Sequence, residues 1–482
     1  MPRIQSLRTA SGVFATSLAV LLFRFLVPKP VGIADNGDGW RLLCRLGVND
    51  PARLTERFVQ FDYPAAPPCS SLYVTSQLWL DRAAQWLGRL FGLDSAVDLV
   101  VLGVLCCVLA ALGIALTVLG LRLTTRWQVV ATVLLLLVVA DSAFFGYFAS
   151  VLSEGAAFIG ILMLVGGLLM MQRWRYFGAA VTVVGALIAI NAKAQTLVIL
   201  PLLILAMLLS HWAKRWVLPV AVIVTVSAGT VLTQVGGASA GSEYREANAY
   251  HAIFDSILDG SGDTRADLAD LGLPASFERY VGTNFWASNS AQYDPEYQRY
   301  RDKIVTTNLI RYYVQHPGRT LAILQRGAQD QLTARPANLG SFAANAGEPP
   351  GAREYRVPVI SGLAGLVAPL GLFLLVPLWG LTAWGGVRLW RRRREIAVAV
   401  FLLLGTAASQ FLIAALGEGI EGVKHQTIAL FCGVLAALVQ TPSLVRNPDS
   451  RPSRTAGVGI TASPKAYRRT TRSRRSKQPA PG

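Results

Sequence analysis

Charge is scarce in this chain: Asp, Glu, Lys and Arg make up only 15% of its 482 residues. A soluble globular protein carries roughly a quarter, so the shortage excludes a soluble domain of this length. Histidine is scarcer still, with four residues, which argues against a metal centre built on imidazoles. Acidic residues are outnumbered, 28 against 45 basic, for a net charge of +17. A basic surplus first suggests nucleic acid, but its location argues otherwise. Residues 443–482 hold ten Lys/Arg and one Asp in a Ser/Pro/Thr-rich setting that cannot bury a core. Such a tail suits anionic lipid heads at a cytoplasmic membrane surface. A solvated tail that only fixes topology accounts for it equally well.

Apolar residues fill the space: they are 53% of the chain, and mean hydropathy is +0.44. Repeated apolar runs of about 15–25 residues make this an all-α polytopic membrane protein. Ten spans are expected, near 11–27, 97–120, 128–148, 155–171, 177–190, 195–210, 216–235, 359–387, 396–416 and 427–441. The first ends in Val27-Pro28-Lys29-Pro30 with no small-residue cleavage site, so it reads as a retained helix. Basic residues then fall on one side at alternate turns: Arg3 and Arg8, Arg122 and Arg126, Arg173 and Arg175, Lys214 and Arg215, Arg388 with Arg391 to Arg394, and the tail. By the positive-inside rule that side, with both termini, is cytoplasmic. Residues 177–210 could also be one long helix, but a single span there would put HWAKRW and the tail outside.

The expected organisation is a first segment and helix over 1–28, an outward loop over 29–96, and a transmembrane core over 97–235. An extracytoplasmic domain of mixed structure follows over 236–358, then further spans over 359–441 and a cytoplasmic tail over 442–482. The first loop carries SSLYVTSQLWLDRAAQWLGRLFG, whose Leu72, Leu78, Trp79, Leu80, Trp86, Leu87 and Leu90 suit an interfacial helix. Cys44 and Cys69 share this loop, where an oxidising compartment permits a disulfide that sequence alone cannot establish. Cys106, Cys107 and Cys432 lie in apolar runs and read as small apolar residues.

Ionisable residues inside or bordering spans are costly and default to functional candidates. Asp35 and Asp38 follow the first span in GIADNGDGWR; Asp141, Glu154 and Lys193 sit at the ends of later ones. Glu418, Glu421, Lys424 and His425 lie together in LGEGIEGVKHQ. The expected topology puts them all at the outer face. Plain alternatives exist for each: Glu154 can meet a helix dipole, Lys193 can snorkel, and Asp141 can hold a structural pair. Arg335 can be a solvated loop charge. The grouping nevertheless suits sugar transfer from a polyprenyl-phosphate donor to an extracytoplasmic glycan or protein. Such a donor needs cations at its phosphate, its acceptor hydroxyl needs a carboxylate base, and sugars stack on Tyr and Trp. Two carboxylates could instead hold a divalent cation, Mg or Mn.

The motifs ADNGDGWR after span one, LSEG at span four and NAKAQ resemble the GT-C superfamily of membrane glycosyltransferases. The loops LGLPASFERYVGTNFW, RPANLGSF, AGEPPGA and GEGIEGVKHQ are similar to Gram-positive hexose transferases of cell-surface or S-layer glycan biosynthesis. The resemblance runs over most of residues 10–440. It implies a GT-C-like helical fold and a lipid-phosphate sugar donor, with the first-loop acid at Asp35 or Asp38. It also implies donor-phosphate contact at Lys193, with Arg335 as a second candidate. Asp141, Glu154, Glu418, Lys424 and His425 would support the pocket. The acids here are spaced Asp-x-x-Asp where many superfamily members place adjacent ones, which weakens a metal role. Asp35 is favoured as base and Asp38 as hydroxyl or metal ligand. A transporter or flippase of lipid-linked sugars is the rival reading, although the halves show no repeat. A surface-glycan polymerase or ligase with a diphosphate-linked donor is another, and a non-catalytic scaffold the last.

Overall fold

Apolar segments with no water to satisfy their backbone close their hydrogen bonds internally, as helices. The computed structural model describes residues 2–48, 56–67, 69, 71, 73–210, 217–234 and 240–445. Leu72, the HWAKRW cluster with His211, and the basic tail beyond Val445 lie outside the described residues. Residues up to Val445 form one unit, built from α1 (Pro2–Leu26), α2 (Trp40–Leu46), α3 (Gln77–Leu90), α4 (Leu99–Gly120), α5 (Thr125–Val139), α6 (Glu154–Met170), α7 (Arg175–Ile190), α8 (Ile199–Leu209), α9 (Val217–Gln234), α10 (Ala240–His251), α11 (Thr264–Asp270), α12 (Tyr297–Tyr300), α13 (Thr306–Gln315), α14 (Pro317–Thr333), α15 (Val359–Val367), α16 (Leu372–Trp390), α17 (Arg394–Gly417), α18 (Gly422–His425) and α19 (Thr427–Val445). Two short strands, β1 (Asp62–Tyr63) and β2 (Val97–Asp98), pair antiparallel with Tyr63 opposite Val97.

Against the ten spans expected, the described residues hold five helices long and apolar enough to cross a membrane: Arg8–Leu26, Leu99–Gly120, Leu372–Trp390, Arg394–Gly417 and Gly422–Pro442. Six more apolar stretches are shorter, among them α5, α6 and α7. A helix such as α6, with 17 residues, rises about 25 Å, short of a hydrocarbon core of about 30 Å. The run 177–210 is two helices, α7 and α8, separated by a turn and a 3-10 segment, Gln195–Val198. The run 128–148 stops at Val139 and continues as a 3-10 turn, Phe145–Ala149. The run 359–387 is broken at Ala368–Leu370, where Gly371 takes φ +51°. Side chains of α14 satisfy the exposed backbone at that break: Gln325 accepts from Leu372 N (2.8 Å) and donates to the Leu370 carbonyl (3.2 Å), and Gln329 donates to the Pro369 carbonyl (3.1 Å).

Close helix contact follows from small residues. A Cβ on Gly160 would lie 2.3 Å from Ala189 N, and one on Gly185 2.3 Å from Leu164 N, so α6 and α7 meet backbone to backbone. The Asp98 side chain caps α4 by accepting from Val100 N (2.6 Å) and Val101 N (3.2 Å). Helix α3 is amphipathic as expected, burying Leu78, Leu80 and Ala84 while exposing Trp79, Trp86 and Leu90. Cys44 and Cys69 are joined as a disulfide, which ties α2 to the loop ahead of α3.

The segment 236–358, expected as an extracytoplasmic domain of mixed structure, is described over residues 240–358, which are helices and turns without strands. They carry their own aromatic core around Tyr250, Phe254, Phe277, Phe285, Tyr297 and Tyr312.

Candidate functional site

The loop carrying Asp35 and Asp38 is held by a distant strap. Gly32 N donates to the Ser341 carbonyl (3.1 Å), Ala34 N to that of Gly340 (2.9 Å) and Val59 N to that of Phe342 (2.9 Å). Behind them Arg356 donates to the carbonyls of Arg24 (2.9 Å), Val27 (2.7 Å) and Lys29 (3.0 Å), satisfying the open end of α1. Glu354 forms a buried ion pair with Arg24. The chain therefore leaves α1 along a fixed path into the acidic turn.

Within that turn Asp35 Oδ1 accepts from Gly37 N (3.0 Å) and Gly39 N (2.9 Å), an Asx-type turn. Burial, with the neighbouring negative charge of Asp38, raises the Asp35 carboxyl above its ordinary value despite those bonds. Asp38 behaves oppositely. Burial works against its charge, but Lys424 Nζ at 2.6 Å from Oδ2 and Arg41 at 3.6 Å from Oδ1 outweigh it and hold the carboxyl well below the usual range. Its side chain keeps 43% exposure on a recess where Lys424 is only 2% exposed.

Lys424 also pairs with Glu421, whose other oxygen takes Asn36 Nδ2 at 2.5 Å. His425 Nδ1 lies 2.7 Å from Glu418 and its Nε2 3.8 Å from Glu421. Lys193 Nζ bonds Glu154 at 2.7 Å, and Glu154 lies within electrostatic reach of Lys424 and His425. Among the expected residues, Asp35, Asp38, Glu154, Lys193, Glu418, Lys424 and His425 thus form one charged cluster. They come from the first loop, the start of α6, the α7–α8 turn and the α17–α18 link.

Two expected residues do other work. Asp141 accepts from Ala143 N (2.9 Å), Ile360 N (2.6 Å) and Ser361 N (3.2 Å), so it caps α15 and fixes the end of α5. Arg335 was expected at a donor phosphate, but it is buried and donates to the Glu354 carbonyl and Ser341 Oγ, which completes the strap.

Arg41 is a residue that the sequence reading passed over. Its guanidinium sits 4.5 Å from the Tyr73 ring centroid and 4.3 Å from that of Tyr244, an arrangement that presets its plane. Its place three residues after Asp38, on the same face of a turn, was the available signal; Tyr244 had none.

A divalent cation does not suit this donor set. Asp38 already faces an ammonium and a guanidinium, and the described residues contain no group of three His, Cys, Asp or Glu arranged to hold a metal.

Among solved structures, the chain is similar to the oligosaccharyltransferase of Archaeoglobus fulgidus tethered with an acceptor peptide, at 14% identity and TM-score 0.38, covering 89% of this chain and 49% of that one. It is similar to the same organism's AglB with an inhibitory peptide and a dolichol-phosphate, at 15% identity and TM-score 0.38, covering 89% and 50%. It is also similar to ArnT of Cupriavidus metallidurans bound to undecaprenyl phosphate, at 13% identity and TM-score 0.33, covering 90% and 77%. The chain spans about half the length of the archaeal chains it matches. No curated protein matches it. A model of one family, described as the YfdI N-terminal transmembrane domain, matches residues 4–436, and the chain belongs to that family of membrane proteins.

Proposed function

We propose that this protein is a membrane glycosyltransferase that moves a sugar, a hexose in our reading, from a polyprenyl-phosphate donor to an extracytoplasmic glycan or protein. The observation that carries the reading is the buried charge cluster. Asp35 and Asp38 stand with Lys193, Lys424 and Arg41 at a group of apolar helix ends, and charges of both signs gathered at membrane helix ends are functional candidates by default. Asp35, raised toward the range useful to a base, takes the proton of the acceptor hydroxyl as that oxygen attacks the anomeric carbon. The anomeric carbon–oxygen bond breaks, and the lipid phosphate leaves with its charge. Lys193 and Arg41 neutralise that leaving group. Asp38 holds Lys424 and Arg41 in place and accepts a sugar hydroxyl.

The acceptor belongs, in this reading, to a cell-surface or S-layer glycan. In the same reading both termini face the cytoplasm, where the basic composition of the tail suits anionic lipid heads. The test is transfer by the purified chain in lipid nanodiscs. Radiolabelled polyprenyl-phosphate hexose is supplied with a cell-envelope glycan fraction, and labelled glycan is scored. Transfer is expected from the unaltered chain and lost in Asp35→Asn. Transfer at an undiminished rate in both Asp35→Asn and Asp38→Asn would overturn the assignment, as would movement of the lipid-linked sugar across the bilayer without a covalent product.

A further inference from the structure

A second chamber lies beside the charge cluster. It has a volume of about 230 Å³ and is lined by Asp255 and Ser256, by Arg326 and Asp330 of α14, and by Gly422 and Gln426. Its walls are brought together by special backbone. Asp255 and Ser256 sit on a π-helical turn, Ala252–Ile257, that continues α10, and such turns recur at functional sites. A Cβ on Gly422 would lie 2.2 Å from the Asp330 carboxylate, so only glycine leaves that carboxylate its place.

The polar atoms of the chamber are lopsided. Gln426 is 1% exposed, and its Nε2 donates to the Phe411 carbonyl at 3.2 Å, which fixes the amide and leaves Oε1 buried without a partner. Asp255 Oδ2 is likewise buried without one, and burial lifts that carboxyl to about 6. Arg326 supplies positive charge but is committed to the Asp259 carboxylate and the Ser256 carbonyl (2.7 Å). The chamber therefore offers acceptors and lacks free donors, and a buried acceptor left unmet is costly. A ligand rich in hydroxyl donors meets that need. A cation would meet the carboxylates but also the Arg326 charge. At about 30 Å³ per water, 230 Å³ suits one monosaccharide and little more. The neighbouring cavity of about 130 Å³ shares Asp330 and Gly422 with this one and reaches Glu421 and Lys424.

We propose that the Asp255–Asp330–Gln426 chamber binds one sugar residue of the acceptor glycan through its hydroxyls, placing the acceptor beside the Asp38–Lys424 pair. This rests on the glycosyltransferase reading, but sugar binding can be measured without turnover. Methyl glycosides of glucose, galactose, mannose and N-acetylglucosamine are titrated at millimolar concentration into the full chain in nanodiscs, with saturation-transfer NMR as the readout. At least one glycoside is expected to bind the unaltered chain. Its affinity should fall at least about ten-fold in Gln426→Leu and in the near-isosteric Asp255→Asn, which share no backbone element, so a folding defect in one leaves the other informative. Binding by none of the four, or binding unchanged in both variants, overturns the proposal. So does a Mn²⁺ or Ca²⁺ site that disappears in the same variants while no glycoside binds. Glycoside binding that responds as expected in a chain that transfers no sugar would sink the enzyme reading and leave the chamber standing.

Discussion

Replacing Lys424 with Met tests whether the charge cluster is as interdependent as its geometry implies. The ammonium is 2% exposed, stands 2.6 Å from Asp38 and pairs also with Glu421. Methionine keeps most of the volume and removes the charge, leaving two carboxylates facing each other. Removing one partner of a buried pair costs about 3–5 kcal/mol, because the other is left uncompensated; an exposed pair would lose about 1 kcal/mol or less. Asp38 keeps 43% exposure, so water recovers part of its loss, and we expect about 3 kcal/mol. Part of that should return in the double variant with Asp38→Asn, through a coupling energy of about 1–2 kcal/mol. The measurement is equilibrium denaturation of the four purified proteins, followed by tryptophan fluorescence at low and high salt. Because Lys424 is buried, added salt should change the coupling little. Additive effects of the two substitutions, or a Lys424→Met chain within 1 kcal/mol of the unaltered one, would refute the reasoning.

The other predictions follow from the same contacts. Asp35→Asn keeps an oxygen for Gly37 N and Gly39 N and removes a carboxylate whose ionisation burial disfavours. The folded protein binds the Asp35 proton more tightly than the unfolded chain does, so ionising Asp35 destabilises the fold at neutral pH. The variant should thus unfold no more easily at pH 7 while turnover drops by a factor of about 10²–10⁴. In the unaltered chain the acid limb of kcat/KM should lie above the ordinary carboxylate value of 3.8, since Asp35 must lose its proton to act. Transfer should continue in excess EDTA; a loss restored by Mg²⁺ or Mn²⁺ would contradict the reading of the donor set. Gly185→Leu drives a side chain into the Leu164 backbone and should sharply reduce folded protein recovered from membranes. Glu354→Gln leaves Arg24 without its counter-charge and should speed amide exchange at Gly32 and Ala34, lowering kcat more than it raises the donor KM.

The grouping of Asp35, Asp38, Glu154, Lys193, Glu418, Lys424 and His425 was legible because parity along a membrane chain is a strong constraint. Each crossing fixes the side of the next loop, and basic residues mark the cytoplasmic one. Hydropathy carries no comparable information about where a helix breaks. The run 359–387 reads as continuous, yet it is interrupted at Ala368–Leu370 and made tolerable there by Gln325 and Gln329 of another helix. Asp141 looked like a site residue because its partners, the amides of Ile360 and Ser361, lie 219 and 220 residues away. Arg335 likewise finds its partners, the Glu354 carbonyl and Ser341 Oγ, only where the strap closes. Arg41 went unnoticed because its significance depends on Tyr244, a residue of a different segment.

The contacts of the strap share a purpose. A carboxylate that must sit within hydrogen-bond reach of a reacting hydroxyl cannot hang from a free loop, since a misplacement of about 1 Å costs roughly 10²-fold in rate. The glycines around Asp35 and Asp38 give the turn its shape but little stiffness of their own. Stiffness comes from outside: from Arg356 on the carbonyls at the end of α1, from the backbone pairing of Gly32 and Ala34 with Gly340 and Ser341, and from Arg24 and Arg335 on Glu354. The buried ions of the strap are expensive. Their retention is best explained by the direction they impose on the chain as it leaves the membrane. Under the proposed function, charge is thus concentrated where this otherwise charge-poor protein would react and where it holds the Asp35–Asp38 loop still.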